Sequence, residues 1–161
     1  SRDGIKGDVE TPLTRAWAPL PRNEDFNSEN WVRGSFASAN GHGNARAIAR
    51  LYGGLAGDGT IGGKTILSTD LIADAISEHW DDMDRMTNRP FRFGCGFMLS
   101  CEAFPFGGQR RNFGHTGIGG AIGFGDPDIG LGFSYCGNRM APIANTGPFG
   151  GPLIDAMYAA L

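Results

Sequence analysis

FGHTGIGG, residues 113–120, sets one imidazole and one hydroxyl in a run that is otherwise nearly bare backbone. Glycine weakens a strand, because it loses more conformational freedom on folding and leaves no side chain to pack. A strand keeps such a run where something approaches its backbone closely. Two occupants fit that requirement: a helix crossing at short distance, or a substrate lying along the strand and bonding its backbone. His115 and Thr116 are neighbours, so on a strand their side chains point to opposite faces. Gly117, Gly119 and Gly120 clear the surface beside them. The N–H of Ile118 is then placed to meet a developing oxyanion.

Outward from this stretch the pattern is of strands. FRFGCGFML (91–99) precedes it, GGAIGFG (119–125) continues it, and IGLGFSYCG (129–137) follows. DPD (126–128) reads as a tight hairpin turn between the last two. Upstream, Asn44 can cap a helix over ARAIARLYGGLA, with Ala45, Ile48, Leu51, Tyr52 and Leu55 on one face. GDG (57–59) stops it. Ser68 caps a second helix over 69–79, whose buried stripe is Leu71, Ile72, Ala75 and Ile76. WDDMDRMTNRP is polar and ends at Pro90, so it reads as a loop. The close, GGPLIDAMYAAL, predicts a helix from near Pro152 with Leu153, Ile154, Met157 and Leu161 on one face. Residues 1–40, broken by Pro12, Pro19 and Pro21, show no sustained period. The expectation is one partial α+β domain over 1–161, an antiparallel sheet with helices packed on it. It divides into an irregular lead-in (1–40), a helical segment (41–90), and antiparallel strands plus a C-terminal helix (91–161).

Composition narrows the chemistry. A chain of 161 residues with 40% hydrophobic and 19% charged residues can bury a core. A formal net charge of −3 argues against nucleic acid as a partner. No apolar run approaches the roughly 20 residues that span a bilayer. The three cysteines, Cys95, Cys101 and Cys136, have no zinc-like spacing and read as small packing residues. GDGTIG (57–62) matches G-x-G-x-x-G but follows a helix, where a dinucleotide fingerprint follows a strand. DGTIGGKT (58–65) puts Asp58 where a P-loop needs its first glycine. HWDDMD (79–84) has no calcium-loop spacing and reads as a solvated helix end, and His42 as a loop residue. No metal and no cofactor is expected.

NGHGNARAIARLYGGLAGDG, GGKTILSTDLI, FRFGCGFML, NFGHTGIGG, GFGDPDIGLGFSYCGNRM and the final helix occur in that order. The series resembles the C-terminal part of the serine beta-lactamase-like family, which includes penicillin-binding DD-peptidases, class C beta-lactamases and related carboxylesterases. The resemblance covers residues 30–161 and implies the C-terminal part of a beta-lactamase/transpeptidase-like fold. It also implies acyl transfer through a serine in S-x-x-K. H-T-G stands here in place of K-T-G, as in esterase-like members. His115 would take the place of the family's lysine as the catalytic residue, orienting substrate or assisting proton movement. Thr116, Gly117 and Ile118 would bind substrate, with the Ile118 N–H as one oxyanion donor. Histidine in ordinary surroundings is mostly neutral at pH 7 and would hold a substrate carboxylate less firmly than lysine, which leans away from penicillin recognition and toward ester substrates. No serine here has a lysine three residues later: Ser68 leads to Leu71, Ser100 to Ala103, Ser134 to Gly137. Ser28-Glu29-Asn30 fits S-x-N by letters but lies too near the helices that follow, and GFSYC is not a G-x-S-x-G elbow. The chain is therefore expected to be part of a longer hydrolase. Alternatives are one chain of a two-chain enzyme, or a non-catalytic binding or structural domain with the same fold. The partners expected are a small-molecule ester or amide and the nucleophile-bearing half or a second chain.

Overall fold

Asn44 accepts from the Ala47 N–H at 2.9 Å and opens α2 (Ala45–Ala56), the helix on which the sheet is built. The structure is a computed structural model that describes residues 12, 15, 26–35, 40–140 and 146–161. It forms two compact units, residues 1–43 and 44–161. In the first, Ser28 caps the short helix α1 (Glu29–Arg33), and the buried Trp31 meets Phe26 edge-on at 5.0 Å. Pro12 and Arg15 are also helical, so the lead-in is not wholly irregular; its remainder falls largely outside the described residues.

In the second unit the elements run α2, β1 (Thr60–Ile61), β2 (Lys64–Thr65), α3 (Thr69–Ala75), β3 (Trp80–Asp84), β4 (Arg89–Phe93), β5 (Met98–Leu99), β6 (Phe113–Thr116), β7 (Ile122–Asp126), β8 (Leu131–Tyr135) and α4 (Gly147–Ala159). Strands β3 to β8 form one antiparallel sheet in sequence order, a meander in which each strand pairs with the next. This is the α+β arrangement expected, with helices on both faces. Met98, Phe104, Phe106, Ile122, Phe124 and Ile154 form the core under α4. Leu55, Ala56, Ile72, Leu99 and Phe113 form the core under α2 and α3.

Four expectations change. WDDMD is not a loop or helix end: it is strand β3, hairpin-paired with β4 from Trp80↔Phe93 to Asp84↔Arg89. The Asp84 carboxylate organises the turn, accepting from the N–H and hydroxyl of Thr87 at 2.7 Å each, and Asn88 takes the left-handed conformation it tolerates. Pro90 is tolerated because β5 pairs only Arg92 and Phe93, leaving Pro90 without a ladder partner on that side. Residues 41–90 are thus helix plus strand. Second, α3 stops at Ala75, since the Ser77 hydroxyl bonds back to the Asp74 carbonyl and the His79 N–H is donated to Phe93. Third, 91–99 is two strands broken at Gly94, whose Cβ would stand 2.2 Å from the Ala75 carbonyl; 119–125 likewise begins in a turn before β7. Fourth, α4 begins at Gly147, not near Pro152; the Gly151 N–H reaches back to Thr146 and Pro152, which has no N–H, follows inside the helix. GDGTIG forms the turn after α2 and the β1–β2 hairpin, with Gly59 and Gly62 at positive φ, as its helix-following context implied.

Candidate active-site wall

Burial along β6 does not simply alternate with the pleat. Phe113 and Thr116 are buried while His115 is exposed. Cross-strand partners share a face, so Phe113 and His115 lie with Gly125 and Gly123 on the α2 side. Thr116 lies with Ile122 on the α4 side, 6% exposed. The structure therefore does not bring the two side chains of the H-T pair together. What joins them is a hydrogen bond: His115 Nδ1 lies 2.6 Å from the Thr116 carbonyl oxygen. A carbonyl only accepts, so Nδ1 carries the proton and a neutral ring leaves Nε2 as an acceptor.

The glycines divide into two groups by purpose. Gly114, Gly123 and Gly125 serve packing. A Cβ on Gly123 would meet Ile48 at 2.5 Å and Tyr52 at 2.7 Å, and one on Gly114 would stand 2.2 Å from the Gly123 carbonyl. Burial beneath this helix raises the Tyr52 phenol above its ordinary value. Gly117, Gly119 and Gly120 belong to the turn into β7. The Gly117 N–H bonds to Ala121 at 2.7 Å and the Gly120 N–H to Gly117 at 3.2 Å, with Gly119 and Gly120 at positive φ. Among the described residues no acceptor meets the Ile118 N–H, and the Ile118 side chain is half-exposed. Met140 lies over Gly119, where a Cβ would come within 2.9 Å of it.

The buried Asn112 and Asp126 and the half-buried Tyr158 hold this wall to α4. Asn112, just before β6, donates to the Phe106 carbonyl at 2.5 Å and to the Tyr158 hydroxyl at 2.7 Å. Tyr158 donates to Asp126 at the end of β7 at 2.6 Å. Burial, then the Asp126 carboxylate, push the Tyr158 phenol well above its ordinary value. No sequence period reveals this chain, because its members lie up to 46 residues apart. A separate cleft of about 320 Å³ is lined by Ile76, Glu78, Arg92, Leu99, Arg110 and Arg111, and none of the expected site residues reaches it. Its buried Arg92 donates to Glu78 at 2.6 and 2.8 Å, and holds the Glu78 carboxyl below the usual range. Cys95 and Cys136 are exposed rather than packed, and Cys101 is half-buried. Among the described residues no cluster could hold a metal ion, and no helix is long and apolar enough to cross a membrane.

The chain belongs to the beta-lactamase family, whose profile matches residues 2–147. It is 36% identical over 111 residues to the esterase/beta-lactamase LipL of Mycobacterium tuberculosis, covering 68% of this chain and 25% of that protein. The crystal structure of a family VIII carboxylesterase superposes with a TM-score of 0.85 at 36% identity, covering 92% of this chain and 40% of the other. A penicillin-binding protein homologue from Caulobacter crescentus superposes at 0.84 and 33% identity, covering 96% and 42%. The chain thus spans less than half the length of each of these relatives. Its α+β fold is that of beta-lactamase-like and penicillin-binding-protein-like hydrolases.

Proposed function

We propose that this chain supplies the C-terminal wall of the cleft of a serine acyl hydrolase that cleaves an ester or amide. The supporting observation is the arrangement on β6 and its turn. His115 is exposed with Nδ1–H held by the Thr116 carbonyl, and among the described residues no acceptor meets the nearby Ile118 N–H. The nucleophile, a serine in S-x-x-K, comes from a segment outside this chain. Its oxygen attacks the substrate carbonyl, and the Ile118 N–H receives the resulting oxyanion. Collapse expels the alcohol or amine, which takes the serine's proton, and water then hydrolyses the acyl-serine. The Nε2 of His115 accepts or returns a proton at the leaving group, or fixes the substrate's polar end. Thr116 acts through its carbonyl, which sets the ring, and Gly117 keeps the approach to Ile118 clear.

The test is mass spectrometry of every chain in the preparation after exposure to a serine-reactive fluorophosphonate. A labelled partner chain or longer polypeptide is the result expected. Absence of label from a preparation that contains the nucleophile-bearing segment would overturn the reading. A second reading, a non-catalytic binding domain, is favoured by one observation: the space over Gly123 and Gly125 is taken by the packed helix and that over Gly114 by the neighbouring strand. It predicts that His115→Ala leaves ester hydrolysis by the assembled protein unchanged.

A further inference from the structure

We propose that Met140, beside Ile118, is the specificity-determining residue of this wall and selects esters whose acyl group is apolar. The proposal rests on the hydrolase reading above and adds to it the chemical class of the acyl group. Three segments meet at one end of the sheet. Thr116, the last residue of β6, pairs with Ile122, the first of β7, and Ile122 pairs with Tyr135, the last of β8. The turn after β6 and the segment leaving β8 are therefore neighbours, although they lie far apart along the chain.

Met140 is where that segment touches the turn. A Cβ on Gly119 would stand 2.9 Å from the Met140 Cε, 3.0 Å from its Cγ and 3.1 Å from its Cβ, so the thioether chain lies along the glycine from root to tip. Gly119 also has a φ of 101°, where a side chain is strained. On both counts residue 119 leaves the place of a side chain to Met140. The residue immediately before it, Ile118, supplies the N–H assigned to the oxyanion.

A scissile carbonyl held at that N–H has two arms. His115 lies upstream along β6. Both tasks open to its Nε2, proton exchange at the leaving group and fixing a polar end, belong to a polar arm. The other arm, the acyl group, then runs on past Ile118 toward Gly119 and Met140. It meets apolar surface there, since residues 113–125 contain no Asp, Glu, Lys or Arg. Methionine suits such a place, because an unbranched, polarizable chain conforms to alkyl groups of different shape. Arg139 precedes Met140 and is exposed, so an acyl chain ending in a carboxylate is the competing substrate.

The experiment uses the hydrolase together with its nucleophile-bearing segment and measures kcat/KM for p-nitrophenyl acetate, hexanoate and glutarate. Hexanoate should exceed acetate by about fourfold for each methylene that reaches Met140, and should exceed glutarate. In Met140→Ala and Met140→Gln the hexanoate-to-acetate ratio should fall about tenfold or more. Met140→Leu should keep it within about threefold. Met140 is exposed on this chain, so these changes should spare the fold, and a melting curve for each variant checks that. A ratio that ignores residue 140, as when the nucleophile-bearing segment covers it, would overturn the proposal and leave the hydrolase reading in place. A preference for glutarate would do the same. No hydrolysis of any of the three esters, with no fluorophosphonate label, would overturn both.

Discussion

Gly132 of β8 and Gly53 of α2 face each other, yet replacing each with alanine should have opposite effects. A Cβ on Gly132 would stand 2.1 Å from both the Ala49 carbonyl oxygen and the Gly53 nitrogen, where real Cβ atoms essentially never come within 3.0 Å. Both obstacles are backbone, so no side-chain rotation relieves them. The helix must rise from the sheet by about 1 Å, loosening Ile48 and Tyr52 over Gly123 and Ala56 over Gly125. Overpacking of this kind costs 1–3 kcal/mol, and backbone collision puts Gly132→Ala near the top, about 3 kcal/mol. A Cβ on Gly53 instead meets Gly132 at 3.5 and 3.6 Å, ordinary contact. Gly53→Ala should therefore recover helix propensity and stabilise by about 0.5–1 kcal/mol. Urea unfolding followed by circular dichroism measures both, with the slope m unchanged. In heating, Gly132→Ala should lower Tm by about 6–12 °C. A Gly132→Ala variant within about 0.5 kcal/mol of the parent would refute the close-approach account of these glycines.

Other outcomes follow from the same geometry. Tyr158→Phe leaves the buried Asp126 carboxylate with the Asp128 N–H alone and should cost about 1–3 kcal/mol in urea unfolding. The Tyr158 phenol ionises later folded than unfolded, so above about pH 10 the unfolded chain holds fewer protons and stability falls with rising pH; Tyr158→Phe should flatten that fall. Glu78 has the opposite sense: its carboxyl is held low by Arg92, so its contribution is present above the ordinary carboxylate range and lost as pH falls through it. Glu78→Gln should lower Tm at pH 7 and flatten the acid limb of the stability profile. In the assembled hydrolase, His115→Ala should reduce kcat/KM about a hundredfold or more while leaving Tm within experimental error; unchanged kinetics would remove His115 from the mechanism.

Local rules carried well where side chains settle their own surroundings. Asn44 and Ser68 cap helices at the expected residues, and α2 spans ARAIARLYGGLA as its spacing predicts. The order of helices and later strands, and the opposite facing of His115 and Thr116, were likewise legible from period alone. Strand β3 was not. WDDMD has neither apolar alternation nor β-branched residues, and it becomes a strand because β4 offers it a partner and Asp84 closes the turn. The stripes were also drawn too wide: Leu51, Leu71 and Leu153 lie at helical spacing but are 43%, 52% and 49% exposed. Period says which residues share a face; only neighbouring elements decide how far that face is covered.

The same division holds for the candidate site. FGHTGIGG by itself announced close approach and the chemistry on offer, an imidazole, a hydroxyl and an unhindered N–H. Tertiary structure decided which glycine serves what: β7 and α2 occupy the space over Gly114 and Gly123, and the turn takes Gly119 and Gly120. It also turned the Thr116 side chain inward and gave its carbonyl to His115. Sequence specifies conformational freedom and functional groups, because those belong to single residues. Which atoms fill the freed space depends on segments distant along the chain, brought near only when the sheet closes its core.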